Sequence, residues 1–152
     1  MPSSNHPHPM ITKGFWLAGA YNIFGVLLFS KFFTNSLLSS LDPAVFSWLG
    51  LVAVMLWGCA YCSVARSYQF VPSLLLVFVV EKMIYTTTWL LWLTRNGGTL
   101  PTLFSESPLT ATYYLIYGAG DFIFGLFFLW VVKSLQKKAA TTAVPDQYPV
   151  RS

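Results

Sequence analysis

The stretch FVPSLLLVFVVEKMIYTTTWLLWL, running from Phe70 to Leu93, decides how this chain is read. It is long enough to cross the hydrocarbon core of a bilayer, which takes roughly 20 helical residues. Yet Glu81 and Lys82 stand side by side at its centre. Ionisable groups at that depth are costly, so they mark either a working site or the internal pins of a bundle. Three further apolar blocks have similar length: Gly14 to Phe33, Ala44 to Ala65 and Leu109 to Val132. The sequence therefore predicts an all-α fold, a four-transmembrane-helix up-down-up-down bundle over residues 14–133. The flanks, 1–13 and 134–152, read as disordered tails.

Composition supports this reading. Charged residues make up 9% of the 152-residue chain and apolar ones 55%, whereas soluble domains carry about 25% charge. So few charges cannot cover a soluble globule. The net charge of +4 does not signal nucleic acid. Four of the nine basic residues, Lys133, Lys137, Lys138 and Arg151, follow the last apolar block, where cations face anionic headgroups. No basic patch is interleaved with stacking aromatics. The lipid bilayer is the expected partner, and nucleic acid is not.

Local signals set the boundaries. Asp42-Pro43 and Ser107-Pro108 each place a capping side chain before a proline, and Pro72 falls in the first turn of the third block. The first block is longer than the 7–15 residues of a signal-peptide core, and no small-x-small cleavage pattern follows it closely, so it reads as a retained helix. Short connections make successive helices antiparallel neighbours. The connection Thr94 to Ser107, with Gly97, Gly98 and Pro101, is long enough to fold back over one mouth of the bundle. With the N-terminus inside, Lys13, Arg66, Lys133, Lys137, Lys138 and Arg151 lie on the cytoplasmic side, and Lys31 and Arg95 opposite. Both termini are expected in the cytoplasm.

Depth gathers the polar interruptions into one layer. Asn22 is the ninth residue of its block, Glu81 and Lys82 the twelfth and thirteenth of theirs, and Asp121 the thirteenth of the last. At about 1.5 Å per residue all four fall near mid-span. Small-residue stripes, Gly14-Ala18-Asn22-Gly25 and Tyr117-Asp121-Gly125, point Asn22 and Asp121 at protein. Glu81 and Lys82 project about 100° apart, so they face different helices. The expectation is that Lys82 pairs with Asp121 while Glu81 lies near Asn22, with one of the two acids neutral. Tyr85 to Thr88 then extend a polar ribbon toward the outer surface. Asn22, Glu81, Lys82, Tyr85 and Asp121 are the candidate ligand-binding residues, for a small polar or amphipathic ligand, with proton coupling open. The plainer alternative is a set of satisfied hydrogen bonds that hold the helices in register.

Other motifs carry less. Cys59-Ala60-Tyr61-Cys62 matches C-x-x-C, the spacing of redox pairs. Disulfide-forming four-helix membrane proteins of the vitamin K epoxide reductase and DsbB types need a second cysteine pair, and this chain has none. Cysteines three apart on a helix are commonly packing residues. The spans contain no His, and His6 and His8 lie in a proline-rich flank, so no metal site or cofactor is expected. No phosphate-binding glycine loop or nucleophile elbow is present, which favours a non-enzyme with no catalytic residue assigned. Trp16, Trp48, Trp57, Trp89, Trp92 and Trp130 read mostly as interfacial belts. Gly19-Ala20-Tyr21-Asn22-Ile23-Phe24-Gly25 resembles Gly118 to Gly125 with one residue inserted. The two spans run in opposite directions, as halves of an inverted repeat do.

Val79-Val80-Glu81-Lys82, together with Gly-Ala-Gly-Asp-Phe-Ile-Phe-Gly-Leu-Phe-Phe from Gly118 to Phe128, resembles small uncharacterised bacterial four-helix membrane proteins, similar in size and layout to the DoxX-like group. The resemblance covers about residues 14–133 and implies architecture. Some DoxX-like proteins are associated with thiosulfate or quinone oxidation. Three functions stay open: a midplane binding or transport pocket, an accessory subunit of a quinone-linked redox complex, and a polar-pinned bundle that serves a membrane protein partner.

Overall fold

The computed structural model describes residues 7–142, and every regular element among them is helical. In chain order these are α1 (Pro9–Phe29), α2 (Ser36–Leu41), α3 (Pro43–Phe46), α4 (Trp48–Val64), α5 (Pro72–Asn96), α6 (Leu100–Glu106) and α7 (Pro108–Thr142), with 3-10 turns at Tyr68–Phe70 and Gly97–Thr99. Three runs are long and apolar enough to cross a membrane: Pro9–Phe29, Pro72–Glu106 and Pro108–Thr141. Many of their large apolar side chains, Phe24, Leu28, Ile84 and Ile123 among them, face outward. A surface of that kind is at home against lipid.

Several boundaries differ from the sequence reading, each for a local reason. α1 starts at Pro9, five residues before Gly14, because a proline at the first helical position gives up an N–H that needed no partner. Its N-terminal flank is therefore helical from Pro9, and the reading of 1–6 lies outside the described residues. α1 stops at Phe29 because Lys31, Phe32 and Phe33 all adopt positive φ, at 49°, 53° and 67°. Such a left-handed turn costs roughly 1–2 kcal/mol per residue. Hydrogen bonds gather round it: the Phe33 amide donates to Ser30 Oγ at 3.0 Å and Asn35 Nδ2 to the Phe29 carbonyl at 2.9 Å.

The second block, read as Ala44 to Ala65, is broken at Ser47, whose extended backbone (ψ 161°) separates α3 from α4. Ser47 Oγ accepts from the Gly50 amide at 3.2 Å and caps α4, while Asp42 caps the short α3. A Cβ on Gly50 would lie 2.0 Å from the Val45 carbonyl oxygen, so only glycine lets the chain double back this tightly. α4 keeps 17 residues, roughly 26 Å of helix against about 30 Å of hydrocarbon. At the other end α7 runs through Thr142, so residues 134–142, read as tail, are helical. Lys, Leu, Gln and Ala sustain a helix there. Residues 143–152 lie outside the described part.

Packing is pairwise. α1 lies along α4 and α5 along α7, with α1 also against α7 and α6 against α7. The α1–α4 crossing is set by glycines. A Cβ on Gly19 would sit 2.2 Å from Cys62 Sγ and 2.8 Å from the Gly58 carbonyl oxygen, and one on Gly58 would meet the Gly19 carbonyl oxygen at 2.9 Å. Backbones this close gain dispersion energy that lipid cannot supply. The close approach falls at Gly19, beside the stripe read from the sequence; Gly25 has open space around it.

Two apolar clusters result. One joins the start of α1, the end of α4, the start of α5 and the late part of α7 through Phe15, Tyr61, Tyr68, Phe78 and Phe128. The other joins the opposite ends through Val26, Leu51, Trp92, Tyr113, Tyr114 and Tyr117, with Leu38, Phe46 and Leu103 added from α2, α3 and α6. The polar layer lies between them.

Candidate functional site

Lys82 is the centre of the layer, with 1% of its surface exposed. Its Nζ lies 2.5 Å from Asp121 Oδ1 on α7 and donates to Asn22 Oδ1 on α1 at 3.0 Å. Glu81 Oε1 is 3.8 Å away, and the Tyr61 ring centroid 5.1 Å. An ammonium has three donors and no acceptor; two of them are engaged, and the flanking carboxylate and aromatic face add attraction. Asn22 is fixed in turn, because its Nδ2 donates to the Val54 carbonyl on α4 at 3.1 Å. One ammonium thus ties α1, α5 and α7 together.

Glu81 points the other way. Its Oε2 accepts a short hydrogen bond from the Tyr61 hydroxyl on α4, and its Oε1 is buried without a hydrogen-bond partner. Asn22 and Glu81 both lie within 4 Å of the ammonium, while the Glu81 hydrogen bond goes to Tyr61, a partner that the sequence expectation did not include. Tyr61 lies between the two cysteines of the C-x-x-C pattern and was outside the candidate set. A tyrosine one helical turn beyond Gly58 on an otherwise apolar helix was the available signal.

A narrow cavity of about 30 Å³ adjoins the cluster, room for one or two water molecules. Asn22, Glu81, Lys82, Tyr85 and Asp121 all line it, so the five candidate ligand-binding residues meet at one place. Its remaining wall comes from residues outside that candidate set, chiefly Phe29, Phe46, Tyr113, Tyr117 and Tyr21. The Tyr117 hydroxyl is buried there without a partner. Phe46, from the strap α2–α3, stands edge-on to Tyr113, Tyr114 and Tyr117 at centroid distances of 5.2, 5.5 and 5.1 Å. It separates the cavity from that end of the bundle.

The threonine ribbon is not part of the lining. Thr86 Oγ1 is 2.8 Å from the Lys82 carbonyl and Thr88 Oγ1 is 2.9 Å from that of Ile84. Hydroxyls that return to their own helix backbone are satisfied where they stand. Trp89 and Trp92 act as fasteners, donating to the carbonyls of Tyr114 (2.9 Å) and Leu41 (3.2 Å). Cys59 and Cys62 are free thiols, Cys59 on the outer face and Cys62 against Gly19. No group of three metal-ligating side chains occurs among the described residues. The likeness between the Gly19–Gly25 and Gly118–Gly125 segments has a counterpart in space, since each delivers its polar residue, Asn22 or Asp121, to the same ammonium.

No protein-family model, curated protein or solved structure matches this chain.

Proposed function

We propose that this chain is a four-helix integral membrane protein whose polar layer is a binding or transport site for a small ligand. In this reading α4, preceded by the Ser47 break, is the fourth span. The helices alternate in direction, with both termini in the cytoplasm of a bacterial cell, and the DoxX-like resemblance bears on architecture alone. Supporting the alternation, each apolar cluster joins the start of one helix to the end of the next. Supporting the orientation, Lys13, Arg66 and Lys133 fall at one end of the bundle, and Lys31 and Arg95 at the other.

The observation that carries the functional reading is the meeting of three ionisable side chains with a cavity inside an apolar bundle. Fastening helices needs satisfied hydrogen bonds only. A cavity walled by carboxylate, amide and phenol groups goes beyond that need and supplies the convergent polar groups typical of binding sites. At about 30 Å³ the cavity admits water and small ions. A larger polar or amphipathic ligand would require the Phe46 strap to swing away. In this reading Phe46 and the α2–α3 strap are the gate on the side away from the termini.

Solvent access from the strap side is the test. Tyr85→Cys in a Cys59→Ser/Cys62→Ser background should react with a small, membrane-impermeant charged thiol reagent added from outside the cell. It should not react when the reagent is confined to the cytoplasmic side. A cysteine silent from both sides, yet reactive after unfolding in detergent, would remove the gate and the route. An extracytoplasmic reporter enzyme fused after Thr142 should be inactive; high activity would reverse the orientation.

A further inference from the structure

We infer that the cavity beside Glu81 binds one monovalent cation from solution, either a proton or an ion the size of sodium. This deepens the preceding reading by naming the class of ligand.

The argument begins with charge. Glu81, Lys82 and Asp121 are the buried ionisable acids and bases among the described residues, with exposures of 6%, 1% and 7%. Two carboxylates and one ammonium leave a single negative charge. A net charge inside an apolar bundle is strongly unfavourable. One positive charge restores neutrality, whereas a divalent ion would leave the opposite excess.

Geometry then locates the compensation. Asp121 already has the ammonium at 2.5 Å. Glu81 has given one oxygen to Tyr61 and keeps Oε1 buried without a hydrogen bond, 3.8 Å from the ammonium. Tyr117, on a different helix, lines the same cavity, and its buried hydroxyl likewise has no hydrogen-bond partner. Carboxylate and phenol oxygens on residues that line one small cavity are the donor type that hard cations take. Water completes the coordination shell, or carries a proton to Oε1. Lys82 Nζ, 3.8 Å from Oε1, repels a cation on its own side. The bound charge therefore sits on the side of Oε1 away from Nζ, toward the cavity.

The titratable and charged side chains that line the cavity with Glu81 are Lys82 and Tyr85 on α5, Tyr21 on α1, and Tyr113, Tyr117 and Asp121 on α7, and Tyr61 on α4 is bonded to its carboxylate. Of these only Asp121 is a second acid, and it is held by Lys82.

Thermal unfolding of the full-length protein purified in detergent tests the inference. It is followed by tryptophan fluorescence in sodium chloride and in choline chloride of equal ionic strength, across a pH series. A higher midpoint in sodium at fixed pH identifies the metal ion. A midpoint that rises with acidity and ignores sodium identifies the proton. Either response should vanish in Glu81→Gln, which removes the excess charge without changing shape. Tyr117→Phe keeps the charge excess but removes one oxygen, so it should weaken the sodium response several-fold and leave a proton response nearly intact. A wild-type midpoint indifferent to both cations overturns the inference, as does a response that survives unchanged in folded Glu81→Gln. If Glu81→Gln does not fold, a sodium response unchanged in Tyr117→Phe overturns the metal-ion form. An acid response abolished by Asp121→Asn and not by Glu81→Gln overturns the location. The gate reading fails separately, through silent cysteine labelling.

Discussion

The two halves of the bundle on either side of Lys82 are built differently. Toward the start of α1, Phe15, Tyr61, Phe78 and Phe128 pack ring on ring, with Tyr61 and Phe78 centroids 4.8 Å apart and Tyr61 and Phe128 4.9 Å apart. That half contains no part of the cavity. Toward the strap, the rings are just as close but most carry polar handles. Tyr114 OH donates to the Leu38 carbonyl at 2.8 Å, Trp92 to Leu41, Trp89 to Tyr114, and Tyr21 to Tyr117 at 3.1 Å. Dispersion closes the first half everywhere at once. Directed bonds close the second at chosen points, leaving space between them. A bundle made this way is a plug on one side and a fastened lid on the other.

The largest test of this contrast removes the group on which both halves rest. Lys82→Met leaves two buried carboxylates without their base and should cost about 3–5 kcal/mol, the penalty for breaking a buried pair. Loss of monodisperse protein in detergent is the readout, and the double variant Lys82→Met/Asp121→Leu should recover part of it. Wild-type stability in Lys82→Met would show that the layer fastens nothing.

Ring deletions come next. Phe78→Ala in the packed half should lower stability by about 3 kcal/mol, as large core truncations do, with no gain in labelling at Tyr85→Cys. Phe46→Ala should lower it less while speeding that labelling. Equal labelling in the two variants would erase the distinction between plug and lid.

Glycine substitutions are expected to be smaller. Gly19→Ala forces a methyl against Cys62 and the Gly58 carbonyl and should cost about 1–3 kcal/mol, the usual range for overpacking. Gly25→Ala meets nothing within 4 Å and should be tolerated, its methyl projecting beside the cavity. Thermal midpoints in detergent compare the two directly.

The smallest effect is expected from Tyr114→Phe. It deletes one hydrogen bond to the strap, worth about 0.5–1.5 kcal/mol. Limited proteolysis should quicken within residues 30–47 and nowhere else. An unchanged cleavage pattern would mean that Trp92 and Asn35 hold the strap without help.

Much of this molecule was legible in the sequence because helices apolar enough to cross a membrane write their length and composition directly. Counting residues along each apolar block was enough to bring Asn22, Glu81, Lys82 and Asp121 to one level, since the rise per residue is fixed. The same counting matched Lys82 to Asp121, because adjacent residues must face different neighbours. Rotation and local breaks were not legible. Which helix met Glu81 depended on how α4 turned about its axis, and that was set by the Gly19–Gly58 contact, a fit between two surfaces. The end of α1 at Phe29 depended on three left-handed residues that no single propensity announces. Ser47 broke the second block because its cap and Gly50 let the chain turn back there.

The sequence by itself therefore determined an apolar, helical chain with a charged layer at mid-length, through composition and periodicity. Only the tertiary structure decided that Tyr61 receives Glu81, that Phe46 lines the cavity, and that Glu81 Oε1 and the Tyr117 hydroxyl are left without hydrogen bonds. Those outcomes belong to helix rotation and to contacts far apart in the chain. No residue encodes them alone, because each depends on the shape of the surface it meets.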